Sequence, residues 1–220
     1  TLGHAIYIHD QSSDVLIENC RFEHHHNGNQ IYLVRASEVI IRDCYFDEVG
    51  SPSNYGSGEN IFLKGSHHVL IENNYFSRAG HYAITVEHYL SYTEPSYAVV
   101  IRNNLIEQHW GGGISIGLHS RDCIVEGNRV YYAGEQVLSY PKTGIQIRSN
   151  RNIVRRNIVA FTCAAPEKNF GMTIQAYDYH GMRQDCRNNR IYNNVIYKSG
   201  NAGLFFGQKH SAVLEGNKLL

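Results

Sequence analysis

The sequence predicts an all-β solenoid of about eight coils, and three observations carry this prediction. An eight-residue motif, the first phrase, occurs at 15–22, 39–46, 69–76, 99–106, 123–130, 152–159, 189–196 and 212–219. Its positions are, in order, apolar, any, apolar, polar, two small or amide residues, any residue and apolar. A second phrase, in which apolar residues alternate with others, accompanies each copy. The repeat runs from end to end with no linker, so residues 1–220 are predicted to form a single domain whose units bury their apolar faces against each other.

The first phrase predicts two short strands joined by a tight turn. Its sixth position reads Cys20, Cys44, Asn74, Asn104, Asn128, Asn157, Asn194 and Asn217. A side-chain amide in such a turn can donate to one neighbouring coil and accept from the other, which satisfies buried backbone groups. The pattern therefore predicts a stacked asparagine ladder. Cys20 and Cys44 share the position, about 4.8 Å apart if the strands are parallel, which is compatible with a disulfide or with two buried thiols.

The fourth position of the phrase predicts the register between coils. It reads Glu18, Arg42, Glu72, Arg102, Glu126, Arg155, Tyr192 and Glu215. Stacked in-register strands place these side chains side by side, where opposite charges attract and like charges repel. We interpret the alternation as structural.

The second phrase predicts a third strand in each coil. Its apolar pairs are Ile6/Ile8, Ile31/Leu33, Ile61/Leu63, Ile84/Val86, Ile114/Ile116, Ile145/Ile147, Met172/Ile174 and Leu204/Phe206. Two-residue alternation is typical of strands, and the segments are too short for a helical repeat.

With these features the chain resembles the right-handed parallel β-helix of the pectin-lyase-like superfamily, built from PbH1-type repeats. The resemblance covers essentially the whole chain. It implies an extracellular or cell-surface protein whose partner is a polysaccharide, bound along the exposed face of the third predicted strand. The fold also hosts proteins of many activities, so the resemblance by itself does not select one.

Alternation also predicts which residues of that strand point outward. The first outward row is Tyr7, Tyr32, Phe62, Thr85, Ser115, Gln146, Thr173 and Phe205, and the second is His9, Val34, Lys64, Glu87, Gly117, Arg148, Gln175 and Gly207. Aromatic residues at the ends and small polar residues in the middle suit an open saccharide groove. An aromatic stack covered by loops explains Tyr7, Tyr32 and Phe62 equally well.

Five long loops flank this face, at Asp47–Glu59, His88–Ala98, Tyr132–Thr143, Thr162–Asn169 and Ala176–Asn188. Insertions in a solenoid map to its surface and build binding rims. We therefore expect the working section in coils 3 to 7.

The candidate catalytic residues are Lys64, Glu87, His88 and Arg148. We expect Glu87 between two cations, beside an unfilled slot at Gly117, an arrangement that suits uronate chemistry. A solvated row of ion pairs is the alternative. The candidate substrate-binding residues are Tyr7, Tyr32, Phe62, Trp110, His119, Gln146, Tyr177 and Asp178.

The scarcity of carboxylates on this face narrows the predicted chemistry. Glycosidases need a pair of carboxylates around the scissile bond, and only Glu87 lies on the sheet face. Calcium binding needs several clustered oxygen ligands. We therefore favour a polysaccharide lyase that uses no metal or other cofactor and acts on an acidic glycan.

Composition excludes other classes of partner. Twenty basic and twenty acidic residues cancel, so no long-range field attracts nucleic acid. No apolar run is long enough to span a membrane, and no charged-then-apolar segment at the start of these residues predicts a signal peptide. Because the repeat begins and ends abruptly, we expect a segment of a longer protein or coil ends covered by partner chains.

The alternative function is a non-catalytic surface or fibre module that binds glycans or self-associates through those ends.

Overall fold

The computed structural model describes residues 3–26, 28–50, 58–87, 94–133, 143–162, 169–179, 182–207 and 210–220, with the backbone alone at 177–179, 182–184 and 210. These residues form a right-handed parallel β-helix of eight coils, as the sequence predicts. No helix occurs among them. Each coil contributes one strand to each of three parallel eight-stranded sheets.

The first sheet follows the order of the coils. Its strands are β1 (Ile6–His9), β4 (Ile31–Val34), β7 (Ile61–Lys64), β10 (Tyr82–Val86), β13 (Gly112–Ile116), β16 (Thr143–Ile147), β19 (Phe170–Ile174) and β24 (Ala202–Phe206).

The second sheet holds the strand that precedes each asparagine turn. Its strands are β2 (Val15–Glu18), β5 (Ser37–Arg42), β8 (His67–Glu72), β11 (Tyr97–Arg102), β14 (Ile124–Glu126), β17 (Ile153–Arg155), β22 (Cys186–Tyr192) and β25 (His210–Glu215).

The third sheet holds the strand that follows the turn. Its strands are β3 (Arg21–Phe22), β6 (Tyr45–Val49), β9 (Tyr75–Ala79), β12 (Leu105–Glu107), β15 (Arg129–Tyr131), β18 (Ile158–Ala160), β23 (Val195–Tyr197) and β26 (Lys218–Leu219). A separate antiparallel hairpin joins β20 (Tyr177–Tyr179) to β21 (Met182–Gln184).

The core lies between the three sheets, and identical residue types stack along it. Ile61, Ile84 and Ile114 are fully buried in successive coils of the first sheet. Phe46 and Phe76 stack in the third sheet with ring centroids 4.8 Å apart and an interplanar angle of 9°. Alternation places these side chains inward because successive residues of a strand point to opposite faces.

Amide side chains connect the coils at the turn between the second and third sheets. The Asn104 Nδ2 donates to the Ile71 carbonyl and to the Asn128 Oδ1, each at 3.0 Å. The Asn104 Oδ1 in turn accepts from the Asn74 backbone N–H at 3.0 Å and from its Nδ2 at 3.1 Å. The residue just before the amide, such as Asn103 with φ of 55°, has left-handed backbone that Asn tolerates better than most residues.

The alternating charges stack in the predicted register. Strand pairing aligns Glu18 with Arg42, Arg42 with Glu72, Glu72 with Arg102, Arg102 with Glu126 and Glu126 with Arg155. Each arginine reaches back to the glutamate of the preceding coil at 2.6–2.7 Å. These pairs are partly exposed, so each contributes little to stability, about 0–1 kcal/mol.

The long segments between strands are shorter than predicted. Three stretches that were predicted as loop belong to strands of the sheets: Asp47–Val49, Tyr97–Ala98 and Cys186–Asn188. The β20–β21 hairpin lies inside the segment predicted as the loop 176–188. Parallel pairing extends into these stretches because backbone N–H and C=O groups of the neighbouring coils lie in position to hydrogen-bond with them.

The cysteines at the start of the ladder are free thiols, and no disulfide joins them. The Cys44 Sγ accepts from the Cys20 backbone N–H at 3.4 Å, and the Cys44 N–H donates to the Asn74 Oδ1 at 2.9 Å. The thiols therefore occupy the amide positions of the ladder with weaker hydrogen-bonding groups.

Candidate functional site

The outer face of the first sheet carries both predicted rows in register. Pairing between strands aligns the first row from Tyr7 to Phe205 without a shift. The second row continues through backbone hydrogen bonds beyond the strand ends: Glu87 N–H donates to the Leu63 carbonyl at 3.0 Å, and Arg148 N–H donates to the Ile116 carbonyl at 2.8 Å. Alternation thus predicted the face correctly.

Aromatic rings form a continuous stack over the first three coils. The centroids of Tyr7 and Tyr32 lie 5.4 Å apart at 14°, and those of Tyr32 and Phe62 lie 5.3 Å apart at 23°. The imidazole of His4 lies 4.7 Å from the Tyr32 ring. Tyr7 is 51% exposed, whereas Tyr32 and Phe62 are half-buried. Flat rings of this kind can stack on the apolar faces of sugars.

The polar middle of the face is not open as predicted. Thr85, Ser115, Gln146 and Thr173 are buried, with 1–4% of their surface exposed. One contributor is Tyr82, whose ring lies against Gly112 in the next coil and whose hydroxyl donates to the Gln146 Oε1 at 3.0 Å. A glycine at 112 is required there because a Cβ would meet the Tyr82 ring at 2.1 Å.

The second outward row contains Lys64, Glu87 and Arg148, and it borders the buried polar residues of the first row. Lys64 and Arg148 are half-buried, and Glu87 is buried with 5% exposed. The predicted gap at Gly117 is wrong, because the Glu87 side chain fills it: a Cβ on Gly117 would meet the Glu87 Cγ and Cδ at 2.9 Å. Glu87 therefore extends along the row towards the coil that carries Arg148.

Burial changes the acid–base behaviour of Lys64. It lowers the pKa of the ammonium, and attraction to the Glu87 carboxylate opposes that effect in part. A lysine with a lowered pKa holds more of the neutral amine, which is the form that accepts a proton.

The other sequence candidates are placed as follows. Trp110 is half-buried and His119 is exposed, two residues after Gly117. Tyr177 and Asp178 lie on β20 and pair with Gln184 and Arg183 of β21. His88 lies outside the described residues.

A buried carboxylate–imidazole pair at the corner between the third and first sheets escaped the sequence analysis. The Glu59 Oε1 lies 2.7 Å from the His81 Nδ1, and both side chains are largely buried. The only signal was their position in adjacent coils, just before the first-sheet strand. Glu59 was assigned to the end of a long predicted loop, so it was not recognised as the counterpart of His81 in the next coil.

Asp47, near the same corner, anchors a second polar cluster. It accepts hydrogen bonds from Ser77 and from both Nε and Nη2 of Arg78. Although burial raises the pKa of the Asp47 carboxyl, these hydrogen bonds outweigh it and hold that pKa below its usual value. The Asp47 carboxylate finds its hydrogen-bond donors within the cluster, so we assign the cluster a structural role.

Two absences concern only the residues with described positions. Among them, no group of three or more His, Cys, Asp or Glu side chains is arranged to hold a metal ion. Within the same residues, no helix has the length and apolar character needed to cross a membrane.

Comparison with known proteins agrees with this architecture. The family described as "Right handed beta helix region" matches residues 1–159, and the chain belongs to that family. No curated protein sequence matches the chain.

Solved structures match over nearly the whole chain. A mutant of the periplasmic alginate epimerase AlgG superimposes with a TM-score of 0.77 at 15% identity, covering 99% of this chain and 48% of that one. A mannuronic acid specific polysaccharide family 6 lyase from human gut microbiota gives 0.64 at 15% identity, covering 98% and 53%. The tailspike of E. coli bacteriophage HK620, a double mutant in complex with a pentasaccharide, gives 0.57 at 13%, covering 97% and 43%. The chain therefore spans about half the length of these proteins, and at such identity the likeness shows the fold alone.

Proposed function

We propose that this chain is part of a polysaccharide lyase-like β-helix that acts on an acidic polysaccharide at the outer face of its first sheet. The observation that carries the proposal is the second outward row, where Lys64, Glu87 and Arg148 lie in register beside a buried polar face. Two of the neighbours named above are described as an alginate epimerase and a mannuronic acid specific polysaccharide lyase, which supports the choice of an acidic polysaccharide as the substrate class. An extracellular or cell-surface location follows from such a substrate.

In the proposed reaction Arg148 pairs with the carboxylate of a uronate residue. Neutralising that charge acidifies the proton on the adjacent ring carbon, C5. The neutral amine of Lys64 accepts this proton, and the electron pair of the broken C–H bond forms the C4–C5 double bond as the C4–O4 bond breaks. Water or the exposed His119 gives a proton to the departing oxygen. The Glu87 carboxylate partly balances the charge of the Lys64 ammonium.

Assaying a panel of uronic-acid polymers for new ultraviolet absorbance tests the proposal, since elimination creates a conjugated double bond. We expect product from at least one polymer and a loss of at least ~100-fold in rate for Arg148→Ala. Arg151→Ala is the matched control, because Arg151 lies three residues away but pairs with Asp122 on the outer surface. A panel without any product, or an Arg148→Ala variant as active as Arg151→Ala, would refute the lyase proposal.

The aromatic stack favours a second candidate, a glycan-binding module without catalysis. Tyr7, Tyr32 and Phe62 offer a stacked platform that needs no acid or base. The tailspike named above holds a pentasaccharide, which supports this class of function. Binding without turnover that is lost in Tyr7→Ala and kept in Arg148→Ala would favour the module over the enzyme.

A further inference from the structure

The outer face of the second sheet carries an aliphatic row. The row consists of Leu16, Ile40, Leu70, Val100, Ile124 and Ile153, aligned by strand pairing across coils 1 to 6. Leu16 is 54% exposed and Ile40 is 36% exposed, and the other four are half-buried. Contiguous apolar surface on a solvent-facing sheet marks an interaction site more often than scattered apolar residues do.

A charge row runs beside the aliphatic row, two residues further along each strand and on the same face. It consists of Glu18, Arg42, Glu72, Arg102, Glu126 and Arg155. The charges alternate strictly over the same six coils as the aliphatic row. Because the row alternates over an even number of coils, it is also complementary to its own reverse.

We propose that this face is a dimer interface, at which two copies of the chain pack their second sheets against each other with their solenoids antiparallel. The two-fold axis lies in the interface, parallel to the strands, between coils 3 and 4. It reverses the order of the coils and preserves the direction of the strands, so each row faces the same row of the other copy. The opposed charges are then Glu18 with Arg155, Arg42 with Glu126 and Glu72 with Arg102.

Charge also fixes the register of the dimer. Moving the axis by half a coil opposes coil 3 to itself and coil 2 to coil 4, which places Glu72 against Glu72 and Arg42 against Arg102. Like charges opposed at an interface cost several kcal/mol, so such registers are excluded. Moving it by a whole coil restores complementarity but shortens the overlap. Packing the solenoids parallel would reverse the strands, and the charge rows would no longer face each other.

The size of the face matches a reversible dimer. Six coils at about 4.8 Å and strands of three to six residues give a patch of roughly 29 by 15 Å, or about 900 Å² buried in total. Weak and transient associations bury less than about 1,200 Å² in total, and this face falls in that class. We therefore expect a dimer that dissociates on dilution in the micromolar range.

Sedimentation equilibrium of the 220-residue chain tests the proposal, with Val100→Asp as the disrupting variant. The substitution buries two carboxylates near the two-fold axis, and we expect the dimer dissociation constant to rise at least ~30-fold. Leu105→Asp is the matched control, because Leu105 is a half-buried residue of the same coil on the outer face of the third sheet. Circular dichroism of both variants checks that they fold. A chain that is monomeric at all concentrations, or a dimer that tolerates Val100→Asp, would overturn the proposal.

Cross-linking tests the antiparallel orientation in a Cys20→Ser background. Leu16→Cys and Ile153→Cys chains, mixed and treated with a short bismaleimide, should form a covalent dimer, because the two positions face each other across sheets that pack about 10 Å apart. Either chain alone should not, since identical positions lie five coils, about 24 Å, apart. Cross-linking of Leu16→Cys with itself would contradict the antiparallel arrangement.

Discussion

The asparagine ladder should be a major source of stability, and replacing a central member tests this. Asn104→Ala removes four hydrogen bonds: two that its Nδ2 donates and two that its Oδ1 accepts from Asn74. Asn104 is 1% exposed, so water cannot replace them. At about 1 kcal/mol for each bond, with unsatisfied groups left buried, we expect a loss of about 3–5 kcal/mol in the free energy of unfolding.

Urea unfolding followed by circular dichroism measures this loss. Asn217→Ala is the control from the last coil, where the amide is half-buried and also hydrogen-bonds to Asn194. Solvent can take over part of its bonds, so we expect a loss below about 2 kcal/mol. Equal losses for the two variants, or a loss below about 1 kcal/mol for Asn104→Ala, would show that stacking of the sheets alone holds the coils.

Other predictions concern single positions. Cys44→Asn should stabilise the fold by about 1 kcal/mol in the same urea assay, because an amide replaces the weak contacts of the Cys44 thiol with the Cys20 N–H and the Ile17 carbonyl, and a loss would contradict this. Burial lowers the pKa of His109 to about 3, so the unfolded chain binds the proton first and stability falls as the pH drops from about 6.5 towards 3. We expect a loss of up to about 4 kcal/mol that His109→Leu reduces, and equal pH profiles for the two proteins would refute it. Gly117→Ala should displace Glu87 and lower activity without lowering the melting temperature. Unchanged activity would show that Glu87 takes no part in the reaction.

Sequence periodicity predicted the architecture because each coil repeats the same burial requirement. The amide at Asn104, the Glu72–Arg102 pair and the outward position of Lys64 all follow from counting residues within a repeat. The charge row served only to indicate register at that stage. Its complementarity to its own reverse follows from the same alternation over an even number of coils.

The details of the candidate site could not be predicted in the same way. Glycine at 117 indicated a gap, yet a side chain from the preceding coil fills it, because Glu87 is long enough to bend along the row. Tyr82 covers a neighbouring coil for the same reason. Long side chains cross between coils, and residue spacing does not specify which way they bend.

The proposed function depends on removal of the C5 proton at the Lys64 row, and proton exchange measures that step directly. A uronic-acid polymer incubated with the protein in deuterated water and followed by NMR should lose its C5 proton signal or gain the signal of an unsaturated residue. The rate should fall at least ~100-fold in Lys64→Met and in Arg148→Ala, and it should rise with pH as the Lys64 ammonium loses its proton. No exchange with any uronate polymer, or exchange that survives both substitutions, would contradict the assignment of chemistry to this row.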